Sequence, residues 1–179
     1  MEESWMSDRL QKAIQCLSIQ DVFIKNSTSL LKDGFDPKYI DQNETLEVQL
    51  KHHISRAELL TLNDDGESSQ LFRVCVEMGA RWLSEQVDDV DKQTSSKKND
   101  APEVKAVIEA AFVAEYLLID EVEQEALNEF ALKNASFHVW PYWREYLMSQ
   151  CARMNLPKFA LPTVQFAKPC GSSEDADKK

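Results

Sequence analysis

Two prolines, Pro141 and Pro157, constrain this chain more than any other feature. Proline suits the first helical position, where its missing N–H costs nothing, and in a helix interior it loses a hydrogen bond and clashes with the preceding turn. The spacing therefore predicts one helix of roughly four turns that begins at Pro141 and has stopped before Pro157. Within it Tyr142, Tyr146 and Ser149 fall on one side, and Trp143, Leu147, Cys151 and Met154 on another. Apolar residues cover more than a narrow stripe, so the helix needs two partners.

A chain of 179 residues is one domain's worth and can bury a substantial core unaided. Its net charge of −11 and pI near 4.7 argue against nucleic acid, whose phosphates need a basic face, and against an anionic membrane surface. No apolar run approaches a membrane-spanning length, and residues 1–14 are charged too early and too often for a signal peptide, so a cytoplasmic location is expected. Cys16, Cys75, Cys151 and Cys170 are far apart and form no C-x-x-C pair, which favours free thiols in a reducing compartment over disulfides or a metal site. Cys170, in a Pro-Cys-Gly-Ser tail, is expected to be exposed and open to oxidation in vitro.

Along the chain, Met6, Leu10, Ala13, Ile14 and Leu17 recur at helical spacing, with Ser4 or Ser7 as the cap, and predict a short amphipathic helix over residues 1–17. Ser18 to Leu31 is apolar and β-branched with poor alternation, which suits a first strand that changes partners along its length. A loop with Gly34 and Pro37 follows, then Leu46, Val48 and Leu50 alternate with polar residues as in a half-exposed strand. After the turn Asn63-Asp64-Asp65-Gly66 comes the cleanest strand: Phe72, Val74, Val76, Met78, Ala80 and Trp82 share one face, and Arg73, Cys75, Glu77 and Arg81 the other. Glu85 to Glu103 reads as a long solvated connection, and 167–179 as a disordered polar tail. Val104 to Asp120 reads equally well as a buried helix or a strand, and Glu121 to Asn134 returns to helical spacing. Strands first and helices afterwards is an α+β layout.

The segment 136–163 resembles the signature of the SecB family of export chaperones. The matching residues are Trp140, Pro141, Tyr142, Arg144 and Glu145 at the head of the helix, then the double Leu-Pro exit of Leu156, Pro157, Leu161 and Pro162. The resemblance is diffuse from about 18 to 135 and does not reach the tail. It makes Val104–Asp120 the fourth strand and implies a four-stranded antiparallel sheet backed by helices on one face, over residues 18–166. It further implies an ATP-independent holdase that binds unfolded or precursor polypeptides along apolar grooves and assembles as a homodimer or homotetramer.

Within that frame Val48 and Leu50 match the family's groove-lining crossover region, and Phe137, Val139 and Trp140 form a second client-binding group; core packing is the alternative for each. Acidic residues with which the family docks the motor SecA fall here at Asn26 and Leu30, which carry no charge, and at Glu109 or Ala110, depending on register. Docking of SecA is expected to be weak or absent. The family's C-terminal helix is replaced by the tail after Phe166, leaving a groove edge open or covered by another element such as the N-terminal helix. A SecB-like chaperone dedicated to one client such as an antitoxin, and a non-enzymatic adaptor, are the alternatives.

The chemistry agrees with binding rather than catalysis. His52 and His53 are adjacent and point to opposite faces of a strand, so they do not share a metal, and His138 reads as a packing and hydrogen-bonding residue at a helix start. No glycine-rich phosphate loop and no calcium-loop spacing is present. Arg144 and Glu145 are adjacent and do not face each other, which leaves them for hydrogen bonding or pairing across helices. No catalytic residue, cofactor or metal is expected.

Overall fold

The computed structural model describes residues 7–40, 45–64, 67–84, 102–157, 159 and 161. Most of the expected solvated connection, the tail and Cys170 lie outside the described residues. The elements are α1 (Asp8–Cys16), β1 (Leu17–Leu31), a 3-10 turn (Pro37–Tyr39), β2 (Leu46–Asp64), β3 (Glu67–Ser84), β4 (Glu103–Leu118), α2 (Gln124–Lys133) and α3 (Ala135–Arg153). All four strands are antiparallel in one sheet of order β1-β4-β3-β2, with helices on one face, as the α+β reading expected.

The core follows from the alternation of β3 and β4. Phe72, Val74, Val76, Met78, Ala80 and Trp82 of β3 are buried, and opposite them in register lie Tyr116, Ala114, Phe112, Ala110, Ile108 and Ala106 of β4. Small residues on β4 alternate with large ones, which leaves room for α3 to lie close to the sheet. Trp143 stands edge-on to Phe112 with ring centroids 6.4 Å apart, and Val139, Leu147 and Cys151 complete the same stripe of the helix. α2 closes one end of the core by placing Phe130 edge-on to Tyr116 at 5.0 Å and against Phe72 at 6.5 Å.

β1 keeps a single partner, β4, rather than changing partners. Its poor alternation comes from two register shifts, at Gln20 and Lys25, each of which advances one strand by a residue and reverses the side-chain parity. α1 is capped by Ser7, whose Oγ accepts from Leu10 N and donates to Glu129 of α2 at 2.6 Å. Leu10 and Ala13 are buried, and α1 packs on α2 and the start of β1, on the far side of the sheet from β2.

The main helix begins six residues before Pro141, which corrects the reading of that proline as its first residue. Burial decides the start: Ala135, Ser136 and Val139 have almost no exposed surface and are needed to cover the sheet beside α2. Pro141 lies on the exposed side of the helix, where a missing hydrogen bond costs least. At the other end Asn155 takes φ 53°, the left-handed conformation Asn tolerates, and Leu156 N bonds Cys151 O at 3.0 Å, so the chain reverses before Pro157.

Adjacent residues on α3 separate packing from surface. Trp143→Ala is expected to lower unfolding free energy by about 3–5 kcal/mol. Tyr142→Ala, at a half-exposed position, is expected to change it by no more than about 0.5 kcal/mol. Urea denaturation of the two variants measures the contrast, and equal losses would contradict the helix orientation.

Candidate functional site

β2 is an edge strand, and on its helix-side face Leu46, Val48, Leu50, His52 and Ile54 follow one another. Leu46, Val48 and Ile54 pack against the core, whereas Leu50 stays 44 % exposed. At His52 the strand is tied to α3, where its Nε2 lies 2.7 Å from Oγ of the buried Ser136. Further along β2, Leu50 and Val48 pair with Ala80 and Trp82, while α3 crosses onto β4, from Tyr116 at His138 to Phe112 at Trp143.

On that face Leu50 is exposed, and Val48 of β2 and Trp140 of α3 are partly buried against the core. At the Val48 end the segment after α3 covers the sheet: Leu156 and Leu161 are buried, and Phe159 stands edge-on to Trp82 at 5.9 Å. Trp82 pairs with Val48 across the strands, and its indole N–H is buried without a hydrogen-bond partner.

Val139 is fully buried in the core, so it reaches no ligand while the fold is closed; Phe137 is 43 % exposed. Arg144 and Glu145 are exposed and make no ion pair among the described residues. Tyr142 is exposed, Leu156 and Leu161 are core residues, and Pro162 lies outside the described residues. Sequence reasoning did not single out His52 as a tie to α3, nor Phe159 as the cover of Trp82. The Leu-Pro spacing around Phe159 was the available signal.

The opposite face of the sheet carries a row of ion pairs. Arg73 holds Glu115 at 2.5 Å, Arg81 holds Glu109 at 3.0 Å, and Lys51 lies 3.1 Å from Glu77 and 3.9 Å from Glu109. Gly79 lets Lys51 and Glu109 meet, because a Cβ there would come within 3.0 Å of Glu109 Cγ and 3.3 Å of Lys51 Cβ. The register puts Glu109 on this face and buries Ala110 on the other, and Asn26 and Leu30 share the face with Glu109. Glu109 is thus already shared between two cations.

Burial lowers the pKa of His52, helped by the neighbouring His53, and burial alone lowers that of His138, whose Nδ1 shares a 3.0 Å hydrogen bond with the Tyr116 hydroxyl. Burial raises the pKa of Tyr116 and pushes the Cys151 thiol up to about 11, so both keep their protons. Among the described residues none of these groups is an activated nucleophile, and no cluster of potential metal ligands occurs. No helix among them is long and apolar enough to cross a membrane.

No protein-family model and no curated protein sequence matches the chain. A solved structure does: the Mycobacterium tuberculosis SecB-like chaperone Rv1957 in complex with a ChAD peptide from the HigA1 antitoxin Rv1956. It superposes with a TM-score of 0.57 at 18 % identity, covering 89 % of this chain and 98 % of that one. The chain has the SecB-like fold.

Neutral, partly desolvated His52 and His138 make stability depend on pH in a known direction. Their folded-state pKa values lie below the ordinary 6.5, so the unfolded chain binds more protons as pH falls. Their contribution is complete above pH 6.5 and is lost as pH falls through that value towards the folded pKa. Urea midpoints should fall between pH 7.5 and pH 5, and less in His138→Gln; an identical slope in the variant would contradict the assignment. Glu77 and Glu129, whose pKa values are lowered from 4.5 chiefly by hydrogen bonds from Lys51 and Lys133, act below this window.

Proposed function

We propose that the chain is an ATP-independent holdase that takes non-native polypeptides into the groove between β2 and α3. What supports this reading is an apolar sheet edge with Leu50 exposed beside Val48, and Trp140 partly buried on α3, in a fold shared along its length with a chaperone. Such a site suits extended chains of many sequences, because it provides desolvated surface and an unpaired strand edge without demanding one polar pattern. The lack of an activated nucleophile or metal cluster among the described residues fits a binding function.

The clients are unfolded or precursor polypeptides met in the cytoplasm. Dedication to a single client such as an antitoxin is the second reading, favoured by the antitoxin peptide on the neighbour of like fold. The open face gives SecA little to hold, since Asn26 and Leu30 are uncharged and Glu109 is paired with Arg81 and Lys51. SecA docking is accordingly left out of this function.

Assembly is part of the proposal. β1 exposes Ile19 and Ile24 on its helix side and Phe23 and Leu30 on the other, an apolar edge that a second copy of the chain would cover. A dimer or tetramer is expected by light scattering at micromolar concentration; a strict monomer would remove the assembly from this account.

The functional test is suppression of aggregation without nucleotide. The wild-type chain should keep a chemically unfolded enzyme from aggregating on dilution. Val48→Asp combined with Leu50→Asp should weaken that activity at least about tenfold, since burying one leucine against a client contributes about 1.5–3 kcal/mol. A double variant that stays folded and protects as well as wild type would move the groove elsewhere.

A further inference from the structure

The segment that follows α3 is held differently from the rest of the core. Asn155 and the Leu156 N to Cys151 O bond turn the chain back across the sheet. Beyond that bond, Phe159 and Leu161 pack their side chains on the core. Phe159 is only partly buried and stands edge-on to Trp82, which is paired with Val48 of β2; Leu46 is two residues along the same strand. The Trp82 indole N–H is sealed from water without an acceptor. A donor left in that state marks contact that is filled in shape but incomplete in hydrogen bonding.

We propose that Phe159 is a resident occupant of the client groove, a strap seated where an apolar client side chain docks and displaced when a client binds. This rests on the holdase reading above and adds its regulation. The strap competes with clients for the surface of Trp82, Val48 and Leu46, and when it lifts, the Trp82 N–H becomes available to a main-chain carbonyl of the incoming chain. A client that offers one aromatic or aliphatic side chain followed by extended backbone replaces both the packing and the missing acceptor. Clients without a large apolar group cannot replace Phe159 and are excluded, which lets a wide groove select against folded or strongly polar chains. The arrangement also keeps the groove's most apolar end covered when no client is present, the state in which an open patch would promote self-association.

The measurement is the affinity of the full chain for lysozyme kept unfolded by reduction and capping of its cysteines with iodoacetamide. Apparent affinity is reduced by the fraction of molecules that are open. If about a tenth are open, Phe159→Ala tightens the apparent Kd about tenfold, and Leu161→Ala, which loosens the same strap from a neighbouring position, shifts it the same way. Thermal unfolding of each variant confirms a cooperative fold. Equal or weaker binding by both folded variants, with wild type binding, overturns the strap and leaves the chaperone reading standing. Absence of binding in wild type and both variants overturns that reading and the strap with it. Binding by the variants alone supports a strap that closes the wild-type groove completely.

Discussion

The contact on which the rest depends is the burial of one face of β3 and β4 beneath α3. The alternation from Phe72 to Trp82 and its small-and-large counterpart on β4 make a floor that only a close-packed helix can cover. Trp143 against Phe112 fixes how that helix sits, and Val139, Leu147 and Cys151 follow from the same stripe. Once α3 is committed to the β3–β4 seam, it cannot also cover β2. The strand edge is left with Leu50 half-exposed, a consequence of where the core helix must lie.

The same constraint explains which parts of the molecule were legible in the sequence. A strand buried on one side writes its burial as a period of two, and β3 could be read residue by residue. β4 could not, because it is apolar on the helix side and carries Val107, Ala111 and Val113 on the other, which removes the alternation that separates strand from helix. β1 concealed its pairing because the shifts at Gln20 and Lys25 scramble parity, a feature of pairing rather than of composition. The start of α3 was misplaced because proline's local preference was given more weight than the burial of Ala135, Ser136 and Val139, which only the assembled sheet reveals.

The site was partly legible for a related reason. Val48 and Leu50 alternate in an edge strand, and Trp140 belongs to the aromatic stretch at the head of the helix, so each carried a local signal. Which strand residues face them did not, because that depends on the register of β2 against β3. Val139 shows the limit of adjacency: it sits beside Trp140 in sequence, yet a step of one along a helix turns it fully into the core. Phe159 lay in a segment whose prolines forbade a helix, and sequence pattern gives a non-helical, non-strand residue no address in the fold.

The two faces of the sheet thus carry different physics. On the open face Arg73 pairs with Glu115 and Glu58, and Lys51 with Glu77 and Glu109, all within 4.0 Å, so these charges leave each other little field for steering a partner. On the helix face the side chains are apolar or a neutral histidine, and what holds them against the core is the removal of surface from water. The charge behind the net −11 stays off that packed face, where Ser84 and Ser136 are the buried polar residues among those described.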